Sequence, residues 1–235
     1  MTTTTFIYAL FAGLIPSFIW LFFWVREDIL HPEPRTLLAA VFLGGALSVF
    51  IAIIAEGYVR DVVSDVTTRY ILWAAIEEIA KFIPVALIAL PAFANDEPID
   101  AMIYCITAAL GFAALENMLF VMGPLAHGDV SMSIITGSMR FIGATLLHVV
   151  CSASIGFALG FTFYKNGYWK WIATLIGIIV ASALHAAFNL SIINGTVGGA
   201  LQSFAWVWGA VVILIILFEE VKVVQPRVPR AESGN

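Results

Sequence analysis

Charge is what this sequence has least of. Its 11 lysines and arginines and 16 aspartates and glutamates make up 11% of 235 residues, against about 25% in soluble domains. With 61% hydrophobic residues and a mean hydropathy of +0.99, so few charges cannot cover a water-facing surface, and a soluble domain is excluded. A basic footprint for nucleic acid is missing too, since the net charge is −5 and the pI is near 5.3. The two cysteines, Cys105 and Cys151, both fall inside apolar runs. They make neither a CxxC site nor a disulfide framework, and read as reduced packing residues. HExxH and GxSxG are both absent, which removes the strongest signals for a zincin or a serine hydrolase. No internal repeat and no extramembrane domain is visible.

What the chain does have is long apolar runs. A bilayer-crossing helix needs about 20 mostly apolar residues. That criterion gives Phe6–Val25, Thr36–Ala55, Tyr70–Phe93, Ala101–Pro124, Ile134–Tyr164, Trp169–Ile193 and Ala200–Phe218. The runs are continuously apolar rather than alternating, so they are helices and not barrel strands. The expected fold is an all-α polytopic transmembrane bundle of about seven helices. One integral-membrane domain covers 1–218, and a disordered cytoplasmic tail covers 219–235. Phe6–Val25 lacks a basic flank and a cleavage pattern, so it reads as a permanent span rather than a removable signal. Pro84 is expected to kink the third run, and the fifth is long enough to tilt or to hold an interfacial turn near Arg140.

Lysine and arginine in the loops set the orientation. With the N-terminus outside, inner loops hold Arg26, Arg35, Lys165, Lys170, Lys222, Arg227 and Arg230, and outer loops hold Arg60 and Arg69. The expected topology is N-out, C-in. Trp20, Trp24, Trp169 and Trp171 lie near the interfaces, where tryptophan commonly anchors. Glu56, Arg60, Asp61, Asp65 and Arg69 read as a solvated outer loop, and His31 and His127 as surface residues. Asp28 and Pro32-Glu33-Pro34 read as an inner-surface turn without chemistry. The GxxxG of Gly156 and Gly160, and the patch of Gly44, Gly45 and Ser48, read as sites of close helix packing.

Ionisable residues inside a membrane are costly and mark functional sites by default. The third run carries Glu77, Glu78 and Lys81, the fourth Glu116 and Asn117, the fifth His148, and the sixth His185 and Asn189. Counted from the run ends at about 1.5 Å per residue, Glu77, Glu116 and His185 each lie roughly 10–12 Å below the same outer edge, with His148 somewhat deeper. Helices of alternating direction need not agree in this way. The four clusters form one polar layer, while the inner half looks nearly dry. Glu77 and Lys81 share a helix face, as do His185 and Asn189, and Phe112 packs beside Glu116. Adjacent Glu77 and Glu78 point about 100° apart, so one faces the shared cavity and the other pairs with Lys81 or a neighbouring helix.

Such a layer suits hydrolysis. A desolvated glutamate could take a proton from water, with histidine and asparagine donating to an oxyanion. Alternatively, His148 and His185 with a glutamate, Glu116 among them, could hold Zn2+ and leave one position for water. The bland reading is a buried polar network that fixes helix packing. In it Lys81 pairs structurally with Glu77, Asn117 bonds between helices, and the protein is a non-catalytic membrane scaffold. A proton-coupled transporter or channel using the Glu/His layer is a further alternative, although no paired broken helices are visible.

At these residues the sequence resembles the PrsW family of intramembrane proteases. Pro32-Glu33-Pro34 follows the first span, Glu77 to Lys81 reads EExxK, Phe112 to Glu116 reads FxxxE, and an isolated His148 precedes the HxxxN of His185 to Asn189. The resemblance extends to the broader group of CAAX-processing and bacteriocin-processing proteases. That group shows EExxxR and FxxxH where this sequence has Lys81 and Glu116. The resemblance implies a multi-pass endopeptidase of the bacterial plasma membrane, whose substrate is a membrane-anchored anti-sigma-factor-like protein cut on its outer side. It implies Glu77 as the water-activating residue, and Glu78, Glu116, His148, His185 and Asn189 as the other site positions. Glutamate-activated water without an obligatory metal is the favoured mechanism.

Overall fold

The computed structural model describes residues 3–27, 31–193 and 197–226. Asp28, Arg227 and Arg230, and the end of the expected tail, lie outside the described residues. Among the described residues the chain is all helical, with seven helices, six of them long and apolar enough to cross a membrane. It is a multi-pass bacterial membrane protein.

The helices are α1 (Thr3–Val25), α2 (Arg35–Val62), α3 (Val66–Pro84), α4 (Asp100–Ala126), α5 (Val130–Met139), α6 (Thr145–Phe161), α7 (Gly167–Ile193) and α8 (Val197–Lys222). A π-turn, Arg140–Ala144, joins α5 and α6 into one rod, which accounts for seven helices rather than eight. Asp65 starts α3 by accepting the Thr68 N–H at 2.7 Å. The α3 helix is long enough but not apolar enough to count as a span, in contrast to the expectation for the third run. Glu77, Glu78 and Lys81 lower its hydropathy. Pro84, which cannot donate a backbone hydrogen bond, passes it into a second π-turn, Val85–Ala89, instead of on to Phe93. The α8 helix continues through Glu219 and Glu220 to Lys222, past the expected end of the bundle.

At the centre stands α4, with every residue from Asp100 to Ala114 buried. It packs against α1 and α2 on one side and α6 on the other. Small residues permit the contact. A Cβ on Gly111 would lie 1.9 Å from the Phe42 carbonyl oxygen, and one on Gly45 2.1 Å from that of Ala108. Gly156 seats α6 against Met102 of α4, Gly160 meets Pro98 just before α4, and Gly44 meets Pro84 of α3, so both small-residue patches serve close packing. Outward faces are apolar, as at Ile54, Leu47 and Phe22, and suit lipid rather than water. Cys105 and Cys151 are buried free thiols.

The pairs α2–α3, α3–α7, α7–α6, α6–α4 and α4–α2 close a ring of five helices. The polar residues project into this ring. Three expectations change here. Trp24 is a core residue, tilted against Phe218 at 5.5 Å, not an interfacial anchor, because α8 covers it. Glu33 is buried and accepts a hydrogen bond from the Tyr104 hydroxyl. Asp100, buried nearby on α4, takes the N–H groups of Asp96 and Glu97 at 2.9 and 2.6 Å, so the opposite end of the bundle is not dry.

Candidate active site

Six ionisable side chains from four helices meet inside the ring. Glu78 of α3 is fully buried and fully bonded. One carboxylate oxygen accepts from Lys81 Nζ at 2.7 Å and from His185 Nδ1 at 2.8 Å, and the other from Ser152 Oγ at 3.0 Å. Lys81 turns back one helical turn to reach it, and also donates to His148 Nδ1 at 2.6 Å. A histidine nitrogen that accepts from an ammonium carries no proton, so the His148 proton is on Nε2. That nitrogen donates to Glu116 Oε2 at 2.9 Å. The same Glu116 oxygen also accepts from Arg140, which bonds the Asn117 side-chain oxygen as well and lies over the Phe120 ring at 4.0 Å. The Asn117 amide in turn donates to Thr145 Oγ1 at 2.9 Å.

Glu77 differs from both other glutamates. Its Oε2 is buried and has no hydrogen-bond partner. It lies 3.4 Å from Lys81 Nζ, 3.8 Å from His185 Nε2 and 3.9 Å from His148 Nδ1. Because Glu78 takes the proton on His185 Nδ1, a neutral His185 presents its Nε2 lone pair to Glu77. The two imidazoles meet edge to face, with centroids 5.2 Å apart.

A cavity of about 450 Å³ opens onto this cluster, in the size range of ligand sites. Its polar wall contains Glu77, Glu116, Arg140, His148, His185 and Asn189, and also Glu56 of α2. The sequence-derived site residues thus converge, but with altered pairings. Lys81 bonds Glu78 more closely than Glu77. Among the described residues, the trio with ligand atoms mutually within 4.8 Å is Glu77, His148 and His185, not the set with Glu116. Glu116 is engaged by Arg140 and His148 instead.

Three residues escaped the sequence reading. Arg140 was the lone cation of its run, and the cost of a membrane charge was a usable signal. Ser152 lies four residues after His148, on the same helix face. Glu56 was assigned to a loop, but α2 runs on to Val62.

The profile of a family described as "PrsW family intramembrane metalloprotease" matches residues 33–220. The chain belongs to the PrsW family. Protease PrsW of Geobacillus kaustophilus is 29% identical over 187 residues, which cover 76% of each chain. The Bacillus subtilis protease PrsW is 28% identical, over 76% of this chain and 79% of its own. That of Clostridioides difficile is 26% identical, over 75% and 76%. No solved structure matches. As a PrsW protein the chain is a membrane protease.

The PrsW family description implies a metal, and the residues present fit one. Two histidines and a glutamate are a known catalytic donor set. Glu77 Oε2 is buried without a partner, His185 Nε2 is free, and Glu78 orients the second nitrogen of His185 from behind. The third donor, His148 Nδ1, is bonded to Lys81, so a cation there would compete with the ammonium for that lone pair.

Proposed function

We propose that this PrsW protein is an intramembrane endopeptidase in which Glu77 activates water against a peptide bond of a membrane-bound substrate. The observation that carries the reading is the Glu77 Oε2 atom, buried and unbonded at a cavity wall, beside Glu78 and Glu116, whose carboxylates are both hydrogen-bonded. Glu77 takes one proton from water as the water oxygen bonds to the carbonyl carbon. Developing charge on the carbonyl oxygen meets the donors facing the cavity. In this tautomer His185 Nε2 has no proton to give, which leaves the Asn189 amide and the Arg140 guanidinium for that role. Glu77 then returns the proton to the leaving nitrogen as the carbon–nitrogen bond breaks. The Glu78–Lys81–His148–Glu116 chain holds the two imidazoles in register. A divalent ion held by Glu77, His148 and His185 would supply polarisation of the carbonyl and acidification of water.

The finer parts of the reading rest on the motifs and on the loop charges. They are kinship with the CAAX-processing group, an anti-sigma-factor-like substrate, the N-out, C-in orientation, and a cut in the outer half of the plasma membrane. The charge count of the loops and the position of the cavity support the last two. The cavity wall includes Glu56, Tyr70 and Trp73, which lie toward the α2–α3 turn.

The test is cleavage of single-span peptides by purified protein, with metal content read by elemental analysis. Glu77→Gln and His185→Ala should each lose at least about a hundredfold in rate, in the range of a lost general base, while keeping the wild-type helical content. Wild-type-like turnover by Glu77→Gln would remove the role assigned to it. About one ion per chain, lost in a His148→Ala, His185→Ala variant, would make the enzyme metal-dependent. Cleavage indifferent to chelators would leave water activated by Glu77 alone.

A further inference from the structure

The charges lining the cavity are paired, with one further exception. Glu116 is held by Arg140 and His148, and Glu77 faces Lys81. Glu56 of α2 also lines the cavity and is half-buried, yet no cation is bonded to its carboxylate among the described residues. The cations on α2 and its neighbours are engaged elsewhere. Lys81 is bonded to Glu78, Arg140 to Glu116, Arg60 to Asp61, and Arg69 to the Val63 carbonyl.

The surroundings of Glu56 are aromatic and firmly placed. Its backbone carbonyl accepts from Trp73 Nε1 at 3.1 Å, which ties α2 to α3. Trp73 meets Tyr70 edge to face at 5.1 Å, and both rings line the same cavity. A carboxylate beside aromatic rings is the combination that receives an ammonium or guanidinium group, through charge on one side and ring faces on the other. Because the wall also belongs to the peptide-cleaving cavity, the cation that reaches it comes from the substrate.

We propose that Glu56, with Tyr70 and Trp73, forms a specificity subsite for a lysine or arginine side chain of the substrate flanking the cut. It rests on the protease reading above, and adds to it a charge preference set by a residue outside the catalytic cluster.

The experiment uses full-length protein in detergent and single-span peptides that differ at one flanking position, Lys, Gln or Glu, scanned along the segment. Cleavage is read as kcat/KM, and binding is read separately on the Glu77→Gln protein. At one register the wild type should prefer Lys over Gln by about tenfold, as for one charge-assisted contact. Glu56→Gln, which is isosteric, should bring the ratio to about one. Glu56→Lys should turn the preference toward the Glu peptide. Cleavage with no charge preference, or a preference that survives Glu56→Gln, overturns the subsite and leaves the protease intact. A preference in binding that depends on Glu56, with no cleavage by wild type, overturns the protease reading and keeps the subsite. Neither cleavage nor preferential binding overturns both.

Discussion

Lys81→Met removes one ammonium and leaves the volume nearly unchanged. In the native site that ammonium is inaccessible, lies 2.7 Å from Glu78 and 3.4 Å from Glu77, and donates to His148 at 2.6 Å. Glu78 would keep His185 and Ser152, two of its three partners. Glu77 would lose the only lysine or arginine within bonding distance of it among the described residues. Removing one partner of a buried ion pair costs about 3–5 kcal/mol, because a charge is left in a medium that cannot solvate it. At ~2–4 °C per kcal/mol for a chain of this size, melting in mild detergent should fall by roughly 10 °C. If the deficit is an uncompensated charge, then neutralising the carboxylate should relieve it. The Lys81→Met, Glu78→Gln double variant should melt above Lys81→Met alone, despite carrying two changes. A double-mutant cycle measures that coupling directly. Lys81→Met melting with the wild type, or a double variant lower than either single one, would refute the argument that Lys81 compensates the acidic pair.

Two further outcomes test the frame around the site. Gly111→Ala should lower the melting temperature through a clash with the Phe42 carbonyl, by about 1–3 kcal/mol as for an overpacked core, whereas Gly123→Ala, which meets nothing within 4 Å, should be neutral or stabilising; the reverse order in thermal unfolding would contradict the α2–α4 contact. At the start of α3, outside the membrane-spanning segments, hydrogen bonds from the Thr68 side chain and then its N–H hold the Asp65 carboxyl below its ordinary pKa of 3.8. A lowered folded-state pKa means the cap stabilises fully above that value and is lost as pH falls below it. In hydrogen exchange, Thr68 should therefore keep most of its protection at pH 3.8 and lose it only as pH falls further in wild type, and should be poorly protected at every pH in Asp65→Ala.

Much of the bundle was legible because lipid imposes a blunt rule: a backbone crossing it must bond to itself, and its side chains must be apolar. Runs such as Trp169–Ile193 match α7 almost end to end for that reason. The site was legible as a layer, since Glu77, Glu116, His148 and His185 each break the same rule. Their pairing was not. Whether Lys81 serves Glu77 or Glu78 depends on rotation of α3 against α6, and hydropathy carries no rotational information. Trp24 failed for a related reason, because nearness to a run's end says nothing about which helix lies across from it. Glu33 reads as a turn residue until α4 brings Tyr104 beside it.

The central position of α4 has a consequence for assembly. Bilayer surrounds the outer helices, but α4 is surrounded by protein, and its neighbours are made at different times. The α1 and α2 helices precede it from the ribosome, while α6 follows. Until α6 arrives with Thr145, the Asn117 amide of α4 lacks the hydroxyl it donates to. The cluster itself is completed later still, when α7 delivers His185 to Glu78. A partly made chain thus holds glutamates without the imidazoles that give them function. Synthesis order acts as a safety catch, since no hydrolytic centre exists in the membrane until nearly the whole chain is in place.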